Sequence, residues 1–320
     1  MEAQQREALY ATKLSALVAA PAEPVRGGAA AVAADGTAWF LAEEGGARAL
    51  GPALAWADRR GASAVSLIVP LGEAGVVARR AALFRDPPSV FITEGRELVA
   101  AVPAPPSPSM PIPEAVADLV HLIVDAGADP VVEHGVLTGE VAGLEVLRAI
   151  VDPVTGEPRL DVGLSTHDRD ANQLVFGNVP PVSAIVDVVE SVRVHRTSDA
   201  APHALNRVAS SRLLRHRLLA APDLVGARDL IGAPPPVPID DRNAPAPAVA
   251  TGTGVDGDTV VVVCSVGIDL DLVPFAADAR LALDPGARLL LALAPRDVHP
   301  VTQRIADRLV DPAEIVAVSP

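Results

Sequence analysis

Lysine, cysteine and aromatic side chains are nearly missing from this chain of 320 residues, and each shortage excludes a class of chemistry. Lys13 is the only lysine, so the basic side chains are almost all arginine. A phosphate-binding P-loop needs Gly-Lys-[Ser/Thr], because the lysine reaches the phosphates, and no such run exists here. A Schiff-base enzyme needs a lysine in a desolvated pocket, whereas Lys13 falls on a polar N-terminal helix pattern. Cys264 is the only cysteine, which excludes an intrachain disulfide and a cysteine-based zinc site and points to a reducing compartment. Aromatic residues make up 2% of the chain, too few for a surface that stacks bases. Apolar runs such as Thr259–Ile268 fall far short of the roughly 20 residues of a membrane-spanning helix. The start, MEAQQREALYATK, lacks the basic-then-apolar pattern of a secretory signal, so a cytoplasmic protein with no membrane contact is expected. A net charge of −14 repels phosphate backbones, which favours a protein partner over nucleic acid.

Half of the chain is apolar, enough for a sizeable core, and its two ends resemble each other. Laid without gaps at an offset of 225, 61–92 and 286–317 share Gly61/Gly286, Ala62/Ala287, Pro70/Pro295, Val76/Val301, Arg79/Arg304, Ala81/Ala306, Asp86/Asp311 and Pro87/Pro312. The apolar pattern agrees as well, as it does when one structural unit occurs twice.

Two proline-rich stretches, 102–113 and 232–247, cannot continue a helix or a central strand and read as linkers. A helix over 3–19 opens the N-terminal segment, 1–25. The first repeat, 26–101, reads as strands 29–33 and 37–42, helix 50–60, strand 64–69, helix 75–84 and strand 89–93. The second, 248–320, gives strands 248–251 and 259–266, helix 272–283, strand 288–294, helix 299–309 and strand 314–318. Between the linkers, 114–231 reads as helix 114–126, a hairpin of 143–150 with 159–165, and helices over 168–176, 182–195 and 203–220. The expected fold is therefore α/β, with two duplicated ββαβαβ units flanking a middle α+β unit.

Gly252-Thr-Gly-Val-Asp-Gly257 fits the spacing of a dinucleotide fingerprint, but a strand follows where a helix N-terminus would have to hold the pyrophosphate, so it reads as a hairpin turn. Val263-Cys-Ser-Val-Gly267 lacks the first glycine of a serine nucleophile elbow. The order ββαβαβ resembles the core of restriction-endonuclease-like nucleases of the PD-(D/E)xK superfamily. That resemblance implies an acid on the first hairpin strand and an acid-x-Lys on the second, holding Mg²⁺ and activating water. Neither copy keeps the set. Trp39-Phe-Leu-Ala-Glu43-Glu44-Gly45 has glycine where lysine is expected, and Val263-Cys264-Ser265 occupies the place in the second copy. A degenerate version without catalysis is what the resemblance leaves.

The middle unit holds the densest set of potential ligands. Glu140, Glu145, Asp161 and His167 would gather at one end of its hairpin and could hold Mg²⁺ or Mn²⁺, which take oxygen ligands with some imidazole. Against this, Arg148 and Asp161 fall nearly opposite across the hairpin and can simply pair. Arg207, Arg212, Arg215 and His216 lie on the helix expected over 203–220 and offer a face for an anionic partner, or a solvated arginine face. Two functions follow from the sequence. One is a binding or scaffold protein without catalysis or cofactor; the other is a metal-dependent hydrolase or nuclease using the middle cluster.

Overall fold

A computed structural model describes residues 3–108, 110–152, 154–164, 166–197, 201 and 203–319, leaving the side chains of 3, 166 and 167 outside the description. It is a mixed α/β protein with three sheets, and its chain forms two compact bodies. The first comprises 1–106, 267–285 and 295–315; the second comprises 107–266, 286–294 and 316–320.

The first body opens with α1 (Ala3–Val18), then β1 (Ala22–Val25), β2 (Gly28–Val32) and β3 (Thr37–Ala42). There follow α2 (Leu50–Arg60), β4 (Ala64–Ile68), α3 (Leu71–Ala81), β5 (Ser89–Glu94) and β6 (Glu97–Ala100). The six strands lie in chain order; β3, β4 and β5 run parallel and the outer pairs antiparallel. Tyr10, Leu14 and Leu17 recur at i, i+4 and i+7, which places them on one face of α1. That face packs on Ala29, Ala31, Leu41 and Ile68. The proline-rich 102–113 is not free along its whole length, because Arg79 donates to the carbonyls of Ala104 (3.0 Å) and Pro105 (2.6 Å).

The second body carries the four-stranded sheet of β7 (Asp129–Glu133), β8 (Val136–Val141), β9 (Leu144–Val151) and β10 (Pro158–Val162), an antiparallel meander. Before it comes α4 (Leu119–Asp125), and after it α5 (Thr166–Phe176) and α6 (Val182–Arg196). Leu119 and Ile123 of α4 and Ile185, Val189 and Val192 of α6 bury against Leu137, Leu144, Val146 and Leu147. Next come α7 (Ser210–Ala220), β11 (Ala227–Ala233), β12 (Ala248–Gly254) and β13 (Thr259–Ser265). Leu214 and Leu218, one turn apart on α7, cover Ala250, Val260, Val262 and Leu290. The five-stranded sheet is completed, in order, by β14 (Arg288–Leu293) and β15 (Glu314–Ala317). The helices α8 (Leu272–Leu283) and α9 (Pro300–Ala306), which separate these strands along the chain, belong to the first body.

The two end sheets share a pattern: a hairpin (β2/β3, β12/β13), then a strand parallel to its second member (β4, β14). Each also gains an antiparallel edge strand, β1 or β11, so the linker expected at 232–247 begins inside β11. The helix expected over 114–126 is a 3-10 turn at Glu114–Val116 followed by the shorter α4. The helix expected over 203–220 is a 3-10 turn at Ala204–Arg207 and then α7, broken where Ala209 takes a left-handed backbone (φ 46°).

Inside the first body, segments that the offset of 225 aligns in sequence meet directly. Arg79 forks onto Asp278 at 2.7 and 3.0 Å, and Arg80 bridges Asp278 and Asp271, each at 3.0 Å, all four side chains being buried. Arg304, the repeat equivalent of Arg79, pairs with Asp58 of α2 at 2.8 Å. Each of these two arginines thus reaches an aspartate on the first long helix of the opposite repeat. Burial pushes the Asp271 carboxyl up to about 7, against the pull of Arg80 and of the Gly51 N–H, which donates to it at 3.1 Å. Gly51 is obligatory on steric grounds: a Cβ there would stand 1.9 Å from the carbonyl oxygen of Leu270.

Candidate functional site

The middle hairpins bring acidic residues together and α7 meets them with arginines. β7 and β8 join through His134-Gly135, both at positive φ, and β8 and β9 through Ala142-Gly143, likewise at positive φ. Gly143 is required twice over, since its Cβ would lie 2.5 Å from the backbone of Arg212. These tight turns leave Glu133 at the end of β7, Glu140 late in β8 and Glu145 early in β9, all buried. Glu140 and Glu145 are direct cross-strand partners, an unfavourable pairing of like charges unless each carboxylate finds its own cation.

Each does. Arg212 forks onto Glu133 at 2.9 and 2.7 Å and donates to Glu140 at 2.7 Å. Arg215, three residues on and on the same face of α7, reaches Glu140 at 3.1 Å and Glu133 at 3.3 Å. Arg242 lies 3.4 Å from the Glu133 carboxylate and donates to the Glu133 carbonyl at 3.0 Å and to the Thr138 hydroxyl at 2.6 Å. Three guanidiniums therefore enclose two carboxylates. Burial drives the Glu133 carboxyl up, but the hydrogen bond and charge of Arg212 and the charges of Arg242 and Arg215 outweigh it, leaving it at about 2. Glu145 accepts a fork from Arg148 (2.8 and 2.9 Å) and a third bond from Arg169 (2.8 Å).

Three of the proposed metal ligands are thus engaged in ion pairs. Glu140 and Glu145 are taken by different arginines. Asp161 sits opposite Arg148 in register, as expected, but Arg148 turns to Glu145 and Asp161 pairs with Arg159 at 2.7 Å. The His167 side chain lies outside the described residues. Among the described residues, no three His, Cys, Asp or Glu side chains stand together as a metal would need. The arginine face divides too. Arg212 and Arg215 are buried partners of glutamates, Arg207 is exposed on the 3-10 turn, and His216 lies 3.8 Å from Asp129 at the surface.

Sequence reasoning passed over Arg196, in the last turn of α6. Its buried guanidinium donates to the carbonyls of Ala142 (3.2 and 2.8 Å), Leu205 (2.6 Å) and Val208 (3.0 Å), and among the described residues no carboxylate pairs with it. Burial lowers its pKa to about 10; Glu140 acts against this and Arg217 adds to it. Two adjoining cavities flank α7. One, of about 550 Å³, lies along β7 and α7 and reaches Gly232 and Ala233 of β11. The other, of about 500 Å³, lies among Gly127, Ala142, α6 and α7, and the two share Asp129, Glu140, His216 and Ala220.

Other sequence motifs are structural. Gly252–Gly257 covers the end of β12 and its turn into β13. Cys264 is fully buried, which pushes its thiol up to about 12 and keeps it from acting as a nucleophile. Among the described residues, no helix is long and apolar enough to cross a membrane.

No family model matches the chain, and no curated protein or solved structure does.

Proposed function

We propose that this chain is a binding or scaffold protein without catalysis of its own, built on two duplicated, degenerate nuclease-like units and a middle sheet. One observation carries the reading. Glu133, Glu140 and Glu145, the buried acids of the middle unit, are each neutralised by at least two guanidiniums. A hydrolytic metal centre needs carboxylates turned toward an open position. Freeing even one of these from its buried pairs costs about 3–5 kcal/mol, because the arginine left behind keeps an uncompensated charge. Cation binding would have to supply that energy first.

The net charge of −14 and the scarcity of aromatic residues support a protein partner over nucleic acid. The single, buried Cys264 accords with a cytoplasmic, reducing setting. Titration with Mn²⁺ in a calorimeter tests the reading, with a Glu145→Ala, Asp161→Ala double variant alongside. The expected result is no saturable heat from either protein. Saturable binding by the wild type that the double variant loses would establish the metal-dependent hydrolase instead.

A further inference from the structure

The protein is strongly acidic overall, yet the cavity of about 500 Å³ beside α6 and α7 has cationic side chains in excess. Arg193, Arg196 and Arg217 all line it. Arg193 is paired with Glu190, so its charge is met. Arg196 is buried and, among the described residues, bonded only to carbonyl oxygens, which satisfy its N–H groups without neutralising its charge. Arg217 is half-buried, and its side chain has no hydrogen bond or ion pair among the described residues. The acids on the wall do not compensate. Glu140 is committed to Arg212 and Arg215, and Asp129 stands at the mouth beside His216. The last turns of α6 and α7 contribute partial negative charge, roughly half a unit each, which offsets part of the excess but not all of it.

We propose that this cavity binds a small organic phosphate, its phosphoryl group held by the fork of Arg217 and drawn in by the charge of Arg196, and its apolar body lying against Val141, Ala142, Leu213 and Ala220. Guanidinium is suited to a phosphoryl group because its planar fork donates two parallel bonds to one oxyanion. A phosphate monoester carries about −1.5 to −2 near neutrality, which matches two unneutralised guanidiniums, whereas a monocarboxylate would leave one unmet. The volume falls within the roughly 300–1,000 Å³ of small-molecule sites, and the mixed lining of apolar walls with a few convergent polar groups is also theirs. The proposal deepens the binding reading by naming a ligand class, and it fails independently of that reading, because Mn²⁺ and phosphate are titrated separately.

The test is calorimetry on the whole chain with phenyl phosphate, inorganic phosphate and benzoate. Phenyl phosphate is expected to saturate one site and to bind more tightly than either of the others. Arg217→Gln should weaken it by about tenfold or more, the size of one charge-assisted hydrogen bond. Because the Arg217 side chain makes no hydrogen bond or ion pair among the described residues, its variant should fold as the wild type does, and an unchanged melting temperature checks this. Arg207→Gln, at an exposed arginine outside the cavity, should leave binding unchanged. The proposal is overturned if phenyl phosphate does not saturate at millimolar concentration. Equal weakening by Arg207→Gln would also overturn it, as would inorganic phosphate binding as tightly as phenyl phosphate. So would a single-stranded oligonucleotide that displaces phenyl phosphate at lower concentration, since that would make the cavity part of a nucleic-acid surface.

Discussion

Phe84 and Leu309, 225 positions apart, form an antiparallel bridge at the offset that aligns the two repeats. The flanking hydrogen bonds obey the same exchange: Arg85 N–H donates to the Arg308 carbonyl, and Val310 N–H donates to the Leu83 carbonyl, each at 3.0 Å. Swapping the repeats converts one bond into the other, as a local twofold axis through the bridge requires.

Both side chains of this bridge are buried, at 1% and 0% exposure. Phe84→Ala should cost about 3–5 kcal/mol and Leu309→Ala about 2–5 kcal/mol, the range for truncating large core residues. Since the two residues are neighbours, the double variant should lose less than the two single losses together. Urea denaturation of the four proteins checks this, and strict additivity would deny the coupling.

The buried quartet of Arg79, Arg80, Asp271 and Asp278 predicts unequal effects at its two acids. Asp278→Asn leaves two buried guanidiniums short of a counter-charge and should cost about 3–5 kcal/mol. Asp271 is already pushed by burial toward its neutral form, and the amide of Asp271→Asn still accepts from Gly51, so that change should cost about 1 kcal/mol. Thermal or urea melts at pH 7 compare them, and a larger loss at position 271 would reverse the assignment.

Acid should unfold the second body partly through Glu133. Its folded pKa, about 2, is depressed from the ordinary 4.5, so its contribution is complete above pH 4.5 and is lost as pH falls through about 2. The contribution is on the order of 3 kcal/mol. Asp271 has the opposite sign: its folded pKa is raised, so the stability linked to it is complete below its ordinary 3.8 and lost as pH rises through about 7. Stability measured from pH 2 to 5 should rise steeply in the wild type and less steeply in Glu133→Gln. Parallel curves would remove Glu133 from the acid limb.

How far the sequence reveals this molecule depends on the range of the interaction concerned. β4, α3 and β5, with their counterparts β14, α9 and β15, are legible because local apolar periodicity and the repeat agree. β1 and β11 are not, being edge strands of which the first carries Pro24 and the second lies beside a proline-rich run. β7 and β8 carry Pro130 and Gly139, which mask the alternation of a strand, and positive φ at His134 and Gly135 makes them a hairpin. The acids of the middle unit stood out in the sequence, but their meaning did not. Arg212 and Glu133 are 79 residues apart, and only the packing of α7 on β7 and β8 turns a possible ligand set into ion pairs. Arg196 carried no sequence signal at all, because its bonding to carbonyl oxygens is a property of the folded chain.

The stability of Glu140→Gln relative to wild type tests most directly whether the buried carboxylates exist to be neutralised. A pair built to join α7 to the hairpins should lose about 3 kcal/mol or more when one carboxylate becomes neutral and Arg212 and Arg215 keep their charge. Carboxylates crowded together to await a metal would repel one another, and neutralising Glu140 would then leave stability unchanged or raise it. Urea denaturation of the two proteins at pH 7 decides between these: a clear loss bears out the account, and no loss or a gain contradicts it.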